Sequence, residues 1–413
     1  MSTSTRAINF GAGPSALPAS VLEEVSAALF DFAGTGIGIA EISHRSKEFT
    51  ACLKSLESHI RTQLKVPPTH SVLFTQGGGS LQFSAVVLNM LARHRLLHPE
   101  LTEEQRTLDY VLTGSWSKKA SEEAKRLGGG AVHIALDARS YSKDGKSFDN
   151  IPPHAEYAFS ADPALIYYCE NETVDGVQFS NDPQASTFFP YELLRQRANG
   201  ALLPLVGDYS SSFMSRHIPH LADHAVVFAG AQKNIGPAGL TILIVRQDCI
   251  VDVDAAAALG AAPVPLTLSY KTLADSGSLY NTPSVLPVYV AERVLARAEK
   301  LGGLEYLEKM NKLKAEKVYA AVRKGEEKGV FQSRVQQGAG SWMNVCFIVL
   351  GEGAEARFIA DAEKEGMKAL KGHRSVGGIR VSLYNAIEES EVDKFVAFAE
   401  KFIEEESGKT ASA

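Results

Sequence analysis

Val226-Val227-Phe228-Ala229-Gly230-Ala231-Gln232-Lys233-Asn234 is the stretch on which the fold turns. A short apolar run bounded by glycine reads as a buried strand, and it delivers one lysine, Lys233, into a Gly/Ala turn. Upstream, Leu203-Pro204-Leu205-Val206-Gly207-Asp208 is a second apolar run, and it ends in a carboxylate. Lys233 and Asp208 stand 25 positions apart (233 − 208), about the length of one strand–connection–strand repeat in an α/β layer. Working outward, apolar runs at 72–74, 110–112, 164–169, 203–206, 226–229 and 240–245 predict further strands. Between them lies helical periodicity, as at 80–91 with Leu81, Phe83, Val86, Val87, Met90 and Leu91 apolar. Strands separated by helices imply an α/β architecture with a mainly parallel sheet covered on both faces.

Past Pro287 the pattern changes. Helical stretches at 288–300 and 304–324 are rich in Lys, Glu, Ala and Leu, and a strand (342–350), a helix (354–366), a strand (379–384) and a final helix (388–405) follow. These predict a second, smaller α/β unit.

Composition narrows the function classes. A formal net charge of −6 with scattered basic residues gives no sign of a general affinity for nucleic acid or an anionic membrane. Cys52, Cys169, Cys249 and Cys346 are far apart without a CxxC pair, which argues against a zinc site and a disulfide framework, so no metal is expected. Residues 1–9 lack the apolar core of a signal peptide, and the most apolar run, 255–262, is too short to span a bilayer. A cytoplasmic setting is the expectation.

Gln76-Gly77-Gly78-Gly79-Ser80 joins a strand to a helix. Glycines allow close backbone approach to an anion, and the free N–H groups of a helix start favour negative charge. The turn matches neither the P-loop nor G-x-G-x-x-G, so by itself it also reads as a plain tight turn. Trp116, after Gly114-Ser115, suits stacking on a planar ring or ordinary core packing. Thr173, in Asn171-Glu172-Thr173, offers a hydroxyl at another strand end or simply caps a turn. All of these residues follow strands, the edge at which open α/β sheets bind ligands. A lysine and an aspartate at the ends of neighbouring strands are the two groups a pyridoxal phosphate enzyme needs. The amine forms a Schiff base, and the carboxylate keeps the pyridine nitrogen protonated. His44-Arg45, His373-Arg374 and Arg380 are candidates to fork anionic substrates or are ordinary solvated surface charges, a reading less suited to Arg380, which lies inside an apolar strand and needs a partner if buried.

These motifs resemble the phosphoserine aminotransferase family, class V aminotransferases of the type I pyridoxal phosphate fold. The resemblance runs nearly end to end, through Asn9-Phe10-Gly11-Ala12-Gly13-Pro14, Glu41-Ile42-Ser43-His44-Arg45, Gln76-Gly77-Gly78-Gly79 and Asn171-Glu172-Thr173-Val174-Asp175-Gly176. It continues in Gly230-Ala231-Gln232-Lys233-Asn234, Tyr280-Asn281-Thr282-Pro283 and Gly372-His373-Arg374-Ser375-Val376-Gly377-Gly378-Ile379-Arg380. It implies a large domain with a mainly parallel seven-stranded sheet (19–287), a smaller C-terminal α/β domain (288–413) and an N-terminal segment (1–18) packing with the latter. It further implies pyridoxal 5'-phosphate as cofactor, Lys233 as the Schiff-base lysine and Asp208 as the partner of the pyridine nitrogen. Trp116 is implied to stack on the ring and Thr173 to bond near its phenolic oxygen. Gly79, Ser80 and Gln232 are implied to hold the cofactor phosphate, with Asn281 and Thr282 from the neighbouring chain of a homodimer. Arg380 is implied to take the substrate α-carboxylate. His44 and Arg45 from that neighbour, with His373 and Arg374, are implied to receive the distal anion. The implied reaction is transfer of the amino group of L-glutamate to 3-phosphohydroxypyruvate, in serine biosynthesis. One departure stands out: some bacterial members carry an arginine directly after the triple glycine, where this chain has Ser80. Two rivals are another class V reaction, such as alanine–glyoxylate transamination, and a non-catalytic phosphate-binding module.

Overall fold

The structure, a computed structural model, describes residues 6–410. Seven strands form one sheet: β1 (His70–Thr75), β2 (Thr107–Leu112), β3 (Ala131–Asp137), β4 (Leu165–Cys169), β5 (Leu205–Asp208), β6 (His224–Gly230) and β7 (Thr241–Arg246). Their spatial order is β1-β7-β6-β5-β4-β2-β3. Only β7 runs antiparallel to its neighbours, and β6, β5, β4, β2 and β3 pair in parallel. Every residue of β5, β6 and β7 is buried. Alternate residues serve opposite faces, as the strand period of two requires. Val227 and Ala229 join one apolar cluster, whereas Val226 and Phe228 pack with Phe83, Val86 and Met90 in another.

Sequence patterning misses β3, because its apolar residues are broken by His133 and it sits half-covered at the sheet edge. The run at 203–206 is shifted by two: the strand is Leu205–Asp208, so Asp208 is its last hydrogen-bonded residue rather than the first of a turn. Two helices start at the carboxyl ends of strands, α1 (Gly78–Leu97) after β1 and α2 (Ser115–Leu127) after β2.

The chain then enters α3 (Val285–Lys300) and α4 (Gly303–Glu327), and a three-stranded antiparallel sheet follows, made of β8 (Phe331–Ser333), β9 (Asn344–Val349) and β10 (Ile379–Ser382). Helices α5 (Ala354–Lys364) and α6 (Glu389–Thr410) complete its core around Phe331, Phe347, Phe358, Phe395 and Phe402. Ile8–Asn9 pair in parallel with Met367–Lys368 of the same chain, and Phe10 is fully buried in that core. Among the described residues, no helix is long and apolar enough to cross a membrane.

Candidate active site

Strands β5 and β6 are parallel neighbours with Asp208 opposite Phe228, so Asp208 and the turn bearing Lys233 open at the same edge of the sheet. One cavity there brings together Gly79, Ser80, Trp116, Thr173, Asp208, Gln232 and Lys233, seven of the residues singled out from sequence. Phe83, Cys169, Asn171, Ser210 and Ser211 also line it and escaped sequence reasoning. A signal for Ser210 and Ser211 existed, since they directly follow the strand that ends in Asp208.

Burial sets the electrostatics. Lys233 is pushed down to about 8, first by burial and then by the nearby Arg380 guanidinium, with Asp208 opposing. Burial raises Asp208, countered by the Ser210 N–H (2.9 Å) and the Tyr167 hydroxyl (3.3 Å), which donate to its carboxylate. A segment from the chain's own N-terminus covers the lysine. Ser15 N–H donates to the Gln232 carbonyl (3.0 Å), and the Ser15 hydroxyl donates to the Lys233 carbonyl. Gly13 has φ +133°, and a Cβ there would lie 2.9 Å from Lys233 Cδ, so a side chain at this position would displace the amine.

The glycine turn is shaped by contact as well as by dihedral angle. Gly77 has φ +92°, and a Cβ there would overlap Leu81. At Gly79 a Cβ would meet Ser210 Oγ at 3.1 Å and Asp208 Oδ2 at 3.9 Å, so the backbone there faces the carboxylate directly. Gly78 N–H donates to the neutral Thr241 hydroxyl (2.8 Å).

The start of α2 is closed by the protein itself. Asp175 accepts from Ser115 N–H (2.7 Å), and Glu172 accepts from Trp116 N–H (2.8 Å) and Ser117 N–H (2.9 Å). Burial, reinforced by Asp175, pushes Glu172 up to about 8, and burial raises Asp175 as well. Both acids were visible in the sequence only as neighbours of Thr173; here they lock the helix turn that carries Trp116.

Arg380, half-buried on β10, donates to the Thr173 carbonyl (3.2 Å). That contact gives it the partner its strand position demands. Lys314 on α4 donates to the carbonyls of Leu383 (3.0 Å), Tyr384 (3.0 Å) and Ile387 (2.9 Å), which fixes the turn that follows. His373 contacts the Ser375 hydroxyl (2.6 Å), and its pKa is lowered by burial and by Arg380, Lys119 and Arg374. His44, Arg45, Asn281 and Thr282 lie outside the cavity of this chain, and all but the half-buried His44 are exposed. Gln76 donates to the Thr282 carbonyl (2.8 Å), linking that segment to the glycine turn.

All four cysteines are unpaired and buried. Burial pushes Cys52, Cys249 and Cys346 up to about 12 and Cys169 well above the usual thiol range. None is a ready nucleophile.

An amine of lowered basicity, a buried carboxylate, an indole wall and a glycine-lined helix start fit a flat, anionic, aldehyde-bearing cofactor. Comparison with known proteins agrees. Residues 7–395 match the family described as aminotransferase class-V. A phosphoserine aminotransferase of Ectopseudomonas mendocina (strain ymp) is 38% identical over 402 residues, covering 97% of this chain and 99% of the relative. The solved phosphoserine aminotransferase of Bacillus circulans subsp. alkalophilus superposes with a TM-score of 0.84 at 35% identity, covering 98% of this chain and 100% of that one. A pyridoxal-phosphate-bound phosphoserine aminotransferase from Trichomonas vaginalis gives 0.79 at 33% identity, covering 95% and 99%.

Proposed function

This chain belongs to the class-V aminotransferase family, and we propose that within it the protein moves the amino group of L-glutamate to 3-phosphohydroxypyruvate, yielding 2-oxoglutarate and O-phospho-L-serine. Its cofactor is pyridoxal 5'-phosphate. The observation that carries the reading is the single cavity uniting Lys233 and Asp208 with the α1 start at Gly79 and Ser80. Bound there, the cofactor supplies an electron-withdrawing ring that spreads the charge left when an amino acid loses its α-proton.

The residues divide the remaining work. Lys233, its basicity lowered to about 8, takes the proton from the substrate Cα and returns it, as general base and acid near neutral pH. Asp208 would hold a proton on the ring nitrogen of the bound cofactor, a positive partner that would keep the buried carboxylate ionised. Trp116 forms one wall of the ring site, and Thr173 donates near the phenolic oxygen. N–H groups at Gly79 and Ser80, with Gln232, hold the cofactor phosphate. Arg380 pairs with the α-carboxylate. His373 and Arg374 receive the distal carboxylate or phosphate.

The same reading makes the enzyme a homodimer, with His44 and Arg45 of the partner subunit at the distal anion and Asn281 and Thr282 of the partner subunit at the cofactor phosphate. Support comes from large apolar side chains left exposed beside these segments: Phe30 (81% exposed), Leu29, Ile37 and Tyr280. Four unpaired cysteines support the cytoplasm as its compartment.

Cofactor-loaded enzyme should turn over glutamate with 3-phosphohydroxypyruvate at least about a hundredfold more efficiently than alanine with glyoxylate, a difference of about 3 kcal/mol in transition-state binding. Lys233→Ala should lose that turnover and the borohydride-trappable absorbance at the visible edge. Preference for glyoxylate would replace this reaction with another of the family, and full activity in Lys233→Ala would remove the lysine from its role.

A further inference from the structure

Resting on that reaction, we propose that Lys119 is a further substrate-binding residue, a cation that completes the seat for the phosphate of the phosphorylated substrate. Lys119 lies on α2, three residues after Trp116, and its Nζ stands 4.4 Å from the centroid of the Trp116 ring. The amine is therefore held against the wall of the cofactor cavity. Its neighbour Lys118 directs its charge to Glu122 at 3.7 Å, whereas Lys119 has no carboxylate within 4.0 Å among the described residues.

His373 feels three positive neighbours, namely Arg380 from β10, Lys119 from α2 and Arg374 from its own loop. Arg374 and Arg380 likewise have no carboxylate within 4.0 Å among the described residues. Three segments thus bring cationic side chains around His373, and among the described residues none of the three is in ion-pair contact with an acid, Asp175 acting on Arg380 only from beyond that distance. Like charges gathered this way repel until an anion enters. The need is specific to one substrate, because a phosphate monoester carries roughly −1.5 to −2 near neutral pH and the glutamate side chain carries a single charge. Ser80, at the start of α1, contributes no positive charge to the cavity. A cation from α2, held beside Trp116, supplies one.

The competing role is packing. A lysine over an indole contributes on the order of 0.5–1 kcal/mol by cation–π attraction alone, and in that case Lys119 would only steady Trp116. Steady-state kinetics of Lys119→Gln and Lys119→Arg separate the two. Binding to phosphate predicts about a tenfold rise in KM for 3-phosphohydroxypyruvate in Lys119→Gln, the worth of one charge-assisted contact. Its kcat and its KM for glutamate should stay within about twofold, inhibition by inorganic phosphate should weaken, and the circular dichroism of the bound cofactor should be unchanged. Lys119→Arg should restore the KM. Equal shifts for both substrates, or altered cofactor dichroism without a selective KM change, would overturn the proposal in favour of packing. Wild-type enzyme inactive on the phosphorylated substrate would overturn the reaction and this proposal together. Active wild type with unaltered Lys119→Gln kinetics would overturn the role of Lys119 alone.

Discussion

The start of α1 and the start of α2 are built alike: each follows a strand of the same sheet, enters through glycine, and contributes lining residues to the cavity, Gly79 and Ser80 from one and Trp116 from the other. Their fates differ. At α2 the first-turn N–H groups of Ser115, Trp116 and Ser117 are all taken by two buried carboxyl groups, Asp175 and Glu172. At α1 no acid accepts from the first-turn N–H groups among the described residues, and only a neutral hydroxyl meets Gly78, although Asp208 stands nearby. Every helix start attracts negative charge. Filling one with its own acids and leaving the other to glycine lets the fold choose where a ligand phosphate can sit. The filled start is tied down by three hydrogen bonds, and it carries Trp116 and Lys119.

The largest effect should come from making α1 resemble α2. Gly79→Asp adds a carboxylate at the helix start proposed to hold the cofactor phosphate, and crowds Asp208 and Ser210 as well. Repulsion and lost N–H contacts should weaken cofactor binding by at least about a hundredfold, near 3 kcal/mol, as read by absorbance titration of the apoprotein. Gly79→Ala, whose Cβ would stand 3.1 Å from Ser210 Oγ, should lose far less and control for crowding. If the aspartate variant binds cofactor normally, the phosphate does not sit on α1.

A smaller effect is expected from unplugging α2. In Glu172→Gln the single amide oxygen can satisfy only one of Trp116 N–H and Ser117 N–H, and its NH2 opposes the other. An unsatisfied buried donor costs about 1–3 kcal/mol. The melting temperature should fall by about 1–3 °C, and the dichroism of the bound cofactor should change as the Trp116 turn relaxes. Unaltered dichroism beside a lowered melting point would mean that the two acids stabilise the helix without orienting the indole.

The contrast between the two starts also marks what sequence could and could not tell. Lys233 and Asp208 were legible because a buried strand followed by a lone charged residue delivers that charge to the sheet's edge, and parallel pairing puts both at the same edge. The glycine turn was legible because three consecutive glycines serve little purpose inside a helix. Glu172 and Asp175 were not, since their partners lie 55–60 positions away and nothing local says that an acid will be buried. Asn171 was hidden for the same reason, its amide being fixed by Ser211 and Asn344 from distant segments. Local patterns reveal strands and turns; which turn receives a ligand depends on groups that only tertiary packing delivers.

The smallest effect tests the charge state of the plug. Glu172, held at about 8 in the fold, titrates near 4.3 in an unfolded chain. Between those values the native state keeps a proton that the unfolded state has released, so this group's stabilising contribution is complete below about pH 4 and is lost as pH rises through 8. Burial raises Asp175 in the same direction. Asp208 and other carboxyl groups titrate in both wild type and Glu172→Gln, so the informative quantity is the difference between their melting temperatures. That difference should narrow from pH 5 to pH 8.5, by a shift on the order of 1 °C for each 1 kcal/mol in a chain of this length. A difference that widens instead would mean the acids at α2 are ionised and held by the helix dipole. In that event the two starts would bind the same kind of charge, and what distinguishes α1 would be only that its anion comes from outside.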